Sequence, residues 1–120
     1  MEYHAHIYYH PEQKPFAEKL RLSLKVALGE SLKKVSELFD APLGPHPIPT
    51  FEIHFQSDHL AQVSDFLKTH HGDLSVLIHQ ETGDDVPDHS ENITWFGEPI
   101  ILDFGFFELI KTRPELRINQ

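Results

Sequence analysis

The sequence predicts an α+β fold in which an antiparallel sheet carries two helices on one face. Three observations lead to this prediction. Hydrophobic periodicity changes along the chain in the order strand, helix, strand, strand, helix, strand. Right-handed crossovers place both helices of that order on the same side of the sheet. The length of 120 residues suits one core and not two. The expected arrangement is the ferredoxin-like split βαβ (βαββαβ), as a single domain over 1–120 with its core at about 2–80 and a C-terminal extension over 81–120.

The first strand is predicted over residues 2–10, where tyrosine and isoleucine are frequent and the two faces alternate. Pro11 ends this strand because proline cannot donate to a strand ladder. A helix is predicted over 12–29, with Gly29 as its stop. Its expected buried stripe follows helical spacing: Phe16, Leu20, Leu24 and Leu28, with Ala17, Val26 and Ala27 nearby.

The middle of the chain supplies the rest of the predicted sheet. Residues 33–40 alternate weakly and predict an edge strand. Four prolines and one glycine over 41–49 predict a stiff loop that holds His46. A clear strand, a helix and a strongly apolar strand are predicted next: 50–56, 59–71 and 74–80.

The segment after the last predicted strand is polar and rich in turns. Its acidic residues, from Glu81 to Asp88, are expected to form a solvated loop. Residues 100–110 are apolar enough for a strand and a short helix, or for a segment that packs on a partner.

Composition limits the function classes. Ten histidines and no cysteine exclude thiolate metal sites, so any metal is expected to have imidazole, carboxylate or water ligands. A formal net charge of −9 argues against nucleic acid and against an anionic membrane surface as partners. No apolar run approaches the roughly 20 residues of a membrane span. The N-terminus lacks the basic start and apolar stretch of a signal peptide, so a cytoplasmic protein is expected.

Alternation and topology together predict a cluster of histidines. In the split βαβ order the first strand is central, between 50–56 and 74–80. The helices cover the apolar face, so the opposite face presents imidazoles and one carboxylate: His4, His6, His54, His79 and Glu52. Two histidines and one carboxylate form the facial triad that leaves positions open on Fe(II). His59, His70 and His71 are expected at the surface, whereas the place of His10, beside Pro11, is left open.

Several strings, taken in order, resemble the small DOPA 4,5-dioxygenase family over roughly residues 3–103. They are the segments YHAHIYY at 3–9, GPHPIP at 44–49 running into Phe51 and Glu52, LSVLIH at 74–79, TGDD at 82–85, Asp88 with His89, and WFGEP at 95–99. The resemblance implies a ferredoxin-like fold and a ring-cleaving, extradiol-type dioxygenase that uses non-haem Fe(II), O₂ and a catechol such as DOPA. It also implies a homodimer. The usual motif has proline where this chain has Gln80.

The motif residues that the resemblance implies are His4, His6, His46, Glu52, His79 and His89. Among them, His6, Glu52 and His79 are expected to bind the metal. His4, His46, His54 and His89 are expected either to act in catalysis as acids or bases, since an imidazole titrates near neutral pH, or to exchange with one of these ligands. Zn or Ni in the purified protein would be compatible with the same ligands.

Two other interpretations stay open at this stage. The chain could be a histidine-rich metal- or ligand-binding module without catalysis, which would consume no O₂ when catechols are added. It could also be a metal-independent ferredoxin-like oxygenase or isomerase, whose activity would survive chelation.

Overall fold

The computed structural model describes residues 1–114, and within them five strands form one antiparallel sheet in the order β2-β3-β1-β4-β5. The strands are β1 (Glu2–Tyr8), β2 (Lys34–Val35), β3 (Thr50–Gln56), β4 (Ser75–Glu81) and β5 (Thr94–Phe96). The helices are α1 (Lys14–Leu28), α2 (Leu60–His70), α3 (Asp85–Asp88) and α4 (Gly105–Thr112). The predicted α+β sheet is confirmed, with β1 between β3 and β4. Part of the predicted extension, 115–120, lies outside the described residues.

The strand register follows the alternation of apolar and polar side chains. Ala5 lies opposite Ile53 on one neighbour and Ile78 on the other, and all three side chains are buried. The same core contains Leu20 and Leu24 of α1, together with Val63 and Leu67 of α2. Since a strand directs successive side chains to opposite faces, this packing sends the histidines to the other face.

The buried stripe of α1 differs in part from the prediction. Ala17, Leu20, Leu24 and Leu28 are buried at helical spacing. Phe16 is 45% exposed and Val26 is 86% exposed, and Ala27 is exposed as well. The stripe is therefore narrower than the apolar composition suggests, because only positions three and four residues apart face the sheet. Within residues 1–114 no helix has the length and apolar character needed to cross a membrane.

The predicted edge strand over 33–40 is reduced to the two residues of β2. It pairs with β3 on one side only, and Arg21 Nε donates to the backbone carbonyl of Ser36 at 2.7 Å just beyond it. The predicted strand within 100–110 was wrong: the fifth strand lies earlier, at β5, where it pairs with the free side of β4. The short helix is present as α4, whose Phe107 and Ile110 are buried one turn apart.

The histidine face of the sheet is covered rather than open to water. A second apolar cluster of Tyr8, Leu77 and Leu102 is buried on it. The loop before β3 packs against this cluster through Ile48. The segment around β5 packs against it through Ile93, Trp95 and Ile100. The acidic segment is not a solvated loop throughout, since Asp88 is buried and accepts hydrogen bonds from the backbone N–H and the hydroxyl of Thr82. Polar groups on this face therefore lie in a desolvated interior.

Gly97 holds the turn after β5 against β4, and we expect its replacement by alanine to destabilise the fold. Its φ is +75°, and a Cβ there would lie 2.7 Å from the carbonyl oxygen of Leu74. Backbone strain and this contact together should lower the free energy of unfolding by roughly 1 to 3 kcal/mol. Gly83→Ala is the matched control, because Gly83 also has a positive φ but has nothing within 4 Å of the added Cβ. Equal losses of melting temperature in the two variants would contradict the steric argument.

Candidate metal centre

Four buried histidines, His6, His46, His79 and His89, form the inner histidine cluster. Each is at most 2% exposed. β1 supplies His6, β4 supplies His79, the proline-rich loop supplies His46, and His89 follows α3. Ring centroids are 4.1 Å apart for His6 and His46 and 4.2 Å apart for His79 and His89. The cluster therefore gathers imidazoles that are as much as 83 positions apart in the sequence, from His6 to His89.

In two of these rings the hydrogen bonds identify the protonated nitrogen. His79 Nδ1 donates to the carbonyl oxygen of Gln80 at 3.0 Å, and His89 Nδ1 donates to that of Asp85 at 2.8 Å. A neutral imidazole carries one N–H, so in both rings Nε2 has a lone pair. Metal-binding histidines have the same arrangement: one ring nitrogen binds the metal, and the N–H of the other donates a hydrogen bond to a carbonyl or carboxylate.

His46 is held by a phenol in the same interior. Its Nδ1 lies 2.7 Å from the hydroxyl of Tyr8, and burial raises the pKa of Tyr8, which therefore stays protonated. Among residues 1–114, the buried Nε2 of His46 has no hydrogen-bond partner. If Nδ1 donates to the phenol oxygen, Nε2 carries a lone pair that is directed into the cluster. A buried lone pair of this kind needs a cation or a hydrogen-bond donor.

His6 lies between His79 and the buried carboxylate of Glu52. Its Nε2 is 2.9 Å from Nε2 of His79, and its Nδ1 is 3.3 Å from Oε2 of Glu52. A neutral His6 has one ring proton and cannot donate to both groups at once. A cation bound by both Nε2 atoms would remove this conflict, because the proton of His6 would then sit on Nδ1 and face Glu52.

The electrostatic environment favours the neutral form of three of these imidazoles: His6, His46 and His79. Desolvation by burial, followed by the neighbouring histidines, lowers the pKa of His6 well below its ordinary value. The same causes lower the pKa of His46 to about 3 and that of His79 to about 2. Neutral imidazole is the form that binds metal ions, so the cluster offers ligands without having to lose protons at neutral pH.

A second group, the outer cluster, consists of Glu2, His4 and His54. The His4 and His54 rings are stacked at 3.7 Å, and His4 Nε2 is 2.9 Å from Oε2 of Glu2. The hydrogen bond from Lys33, and then that from His4, lowers the pKa of Glu2 to about 2. This group lies at the β1–β3 pairing, towards the start of β1, and is partly exposed.

The structure brings together most of the residues predicted from the sequence. His6 and His79 are adjacent, and His46 and His89 join them. Glu52 lies against the Nδ1 side of His6, and among the described residues it does not belong to a group with His6 and His79 whose ligand atoms are all within 4.8 Å. Three such groups occur within 1–114: His4, His6 and His79; His6, His46 and His89; Glu2, His4 and His54.

Sequence reasoning missed two residues of this region. Neither Tyr8 nor Glu2 was among the predicted site residues. Both lie at even positions of β1, like His4 and His6, so the same alternation could have identified them. The remaining four histidines all lie outside both clusters: His59, His70 and His71, which were expected at the surface, and His10, which was left open.

An apolar cavity of about 250 Å³ adjoins the inner cluster at His89. Its wall is made by side chains around β5 and before α4, including Trp95, Ile101 and Phe104. Flat apolar walls beside a group of polar atoms are typical of small-molecule sites.

The chain is similar in sequence to known proteins. A model described as the Dopa 4,5-dioxygenase family matches residues 3–106. The chain is 31% identical over 110 residues to a DOPA 4,5-dioxygenase of Amanita muscaria. This match covers 87% of this chain and 48% of that protein. It is 28% identical over 117 residues to an uncharacterized 21.2 kDa protein of Botryotinia fuckeliana, covering 88% and 63%. The chain thus spans about half to under two thirds of the length of these curated relatives.

A solved structure is also similar. The crystal structure of a "putative dioxygenase" from Nostoc punctiforme PCC 73102 superposes with a TM-score of 0.84 at 28% sequence identity. The superposition covers 91% of this chain and 92% of that one.

Proposed function

Since this chain belongs to the Dopa 4,5-dioxygenase family, we propose that it is a non-haem, metal-dependent dioxygenase that opens the ring of a catechol such as DOPA. The reaction is an extradiol cleavage: one ring carbon–carbon bond beside the two hydroxyls breaks, and both atoms of O₂ enter the product. The observation that carries the metal dependence is the proton conflict at His6. One neutral imidazole faces both another histidine nitrogen and a buried carboxylate, and a bound cation resolves that conflict.

The donor set fits Fe(II). His6 and His79 are the proposed ligands through their Nε2 atoms. His46 is the proposed third ligand, because its buried Nε2 has no hydrogen-bond partner among residues 1–114 and its ligand atom lies near those of His6 and His89. Nε2 of His6 and Nε2 of His79 are 2.9 Å apart, so one ion could be held by both nitrogens. Three protein ligands leave positions open, as in catalytic metal sites. When bound, Fe(II) supplies the redox and Lewis-acid chemistry that a reaction of O₂ with a catechol needs.

Glu52 is proposed to position His6 rather than to bind the metal itself. It contacts Nδ1 of His6 and accepts a hydrogen bond from Nε2 of His54 at 3.0 Å. A carboxylate on Nδ1 holds the proton there and directs the Nε2 lone pair at the metal. This differs from the sequence expectation by exchanging Glu52 for His46 among the ligands, while Glu52 stays in contact with the site.

His89 is the proposed acid–base group. It belongs to the inner cluster and also lines the apolar cavity where the catechol ring would lie against Trp95. Its Nε2 lone pair can accept a proton from a substrate hydroxyl, and the carbonyl of Asp85 on Nδ1 stabilises the imidazolium that results. A homodimer and a cytoplasmic location stay predictions.

The experiment is metal reconstitution followed by O₂ uptake. We expect chelated protein to be inactive and protein reloaded anaerobically with Fe(II) to consume one O₂ per catechol, with the new visible absorbance of a ring-opened semialdehyde. Zn²⁺-loaded protein is the matched control, because Zn²⁺ takes the same ligands but has no redox chemistry. Activity that survives chelation would show a metal-independent enzyme. Metal binding without O₂ uptake across a panel of catechols would show a binding module.

A further inference from the structure

We propose that Glu2, His4 and His54 form a second divalent-cation site, distinct from the inner histidine cluster. The β1–β3 register places His4 directly opposite His54, and Glu2 is two positions earlier on the same face. One ligand atom from each of the three lies within 4.8 Å of the others. The set is two imidazoles and one carboxylate, a combination found at many divalent metal sites.

A neutral histidine has one ring N–H, so His4 and His54 cannot donate a hydrogen bond to every carboxylate oxygen that lies near their ring nitrogens. His54 Nε2 donates to Glu52 at 3.0 Å, so its Nδ1 presents a lone pair to Oε2 of Glu2, 3.9 Å away. His4 has Oε2 of Glu2 at 2.9 Å from Nε2 and Oε2 of Glu81 at 3.3 Å from Nδ1. With one proton, a neutral His4 can donate to only one of these two carboxylates.

A cation at this position would satisfy both rings at once. It would bind Nε2 of His4, Nδ1 of His54 and Oε2 of Glu2. The proton of His4 would move to Nδ1 and face Glu81, and His54 would keep its proton towards Glu52. In each ligand histidine, the N–H of the nitrogen that does not bind the metal would then donate a hydrogen bond to a carboxylate. This is the usual hydrogen bonding of a metal-bound imidazole.

Charge favours the same occupant. Three carboxylates surround the two rings, from Glu2, Glu52 and Glu81, and the ammonium of Lys33 contacts Oε1 of Glu2. These four groups sum to a net negative charge, which attracts a cation. The Glu2 side chain is 26% exposed, so an ion can enter from solvent without opening the core. Two imidazole ligands favour Zn²⁺, Fe²⁺, Ni²⁺ or Cu²⁺ over Mg²⁺ or Ca²⁺.

The test counts bound Zn²⁺ per chain by equilibrium dialysis and elemental analysis, and it does not depend on dioxygenase activity. We expect two Zn²⁺ ions in the unaltered protein, and one each in His54→Gln and in Glu2→Gln. His79→Ala should also keep one ion, held by the outer cluster. A His79→Ala/His54→Gln double variant should keep neither.

Two further variants separate ligation from a merely structural role. Lys33→Met removes the cation that competes for Glu2, so it should tighten the weaker Zn²⁺ binding step about tenfold or more. Glu12→Gln changes an exposed glutamate outside both clusters and should leave two ions bound. Two Zn²⁺ ions in His54→Gln and Glu2→Gln, or a single Zn²⁺ in the unaltered protein that these two variants retain, would overturn the proposal. A single Zn²⁺ that these two variants lose and His79→Ala retains would instead contradict only the proposed dioxygenase centre.

Discussion

Replacing His79 by alanine should remove tight iron binding and lower catechol-dependent O₂ uptake by at least about 100-fold. His79 lies 2.9 Å from His6 through the two Nε2 atoms, and its Nδ1 proton is already donated to a backbone carbonyl. Its only available function in the buried cluster is therefore to supply a lone pair. Losing a direct ligand should cost more than the 10- to 100-fold that loss of an outer partner typically costs.

Iron content and O₂ uptake are to be measured on the same preparations, with melting temperature as the check on folding. His70→Ala is the matched control, because it makes the same change at an exposed histidine of α2. It should bind iron and turn over as the unaltered protein does. Full iron content and full turnover in His79→Ala would remove His79 from the centre.

Replacing Glu52 by glutamine distinguishes a residue that positions His6 from one that binds the metal directly. If Glu52 positions His6, the glutamine variant should retain iron with affinity reduced about 10- to 100-fold. If Glu52 were a direct ligand, as the sequence suggested, the loss should approach that of His79→Ala. The two roles are thus separated by the size of the change in iron affinity.

The metal-free protein should lose stability steeply as the pH falls from 7 to 5. Burial lowers the pKa of His6, His46 and His79 in the folded chain, whereas in the unfolded chain each takes up a proton near pH 6.5. The unfolded state therefore binds more protons below pH 6.5, and the stability that is present above this value is lost as the pH falls. Each buried histidine should cost about 2 kcal/mol over this interval, so three cost about 6 kcal/mol.

Groups on every side of His6 act in this titration: Glu52 faces its Nδ1, and His46, His79 and His89 surround the ring. Burial lowers its pKa most, followed by the charges of four histidines: His46, His79, His89 and His4. Thermal or urea unfolding between pH 7 and pH 5 measures the effect. His46→Gln should reduce the slope of stability against pH by about one proton, whereas His70→Ala should leave it unchanged. A flat profile in the unaltered protein would contradict the buried neutral cluster.

The split βαβ core was predictable because periodicity is a local property of the chain. The strand over 50–56 was predicted with the bounds that the structure has, and the central place of β1 followed from the order of elements and the handedness of crossovers. The fifth strand was not predictable in this way. Thr94–Phe96 is short and has no alternation of its own, and it is a strand because β4 offers it a free edge.

In the candidate site, too, some features were predictable from the sequence and others were not. Alternation and the order of the elements together determined that His4, His6, His54, His79 and Glu52 share one face, since a strand sends every second side chain to the same side. Only the tertiary structure decided that this face is buried, which ring nitrogens of His46 and His89 are already hydrogen-bonded, and that Glu52 meets Nδ1 of His6. Those outcomes depend on register, loop path and ring orientation. Contacts between residues far apart in the sequence set them, and no local pattern encodes them.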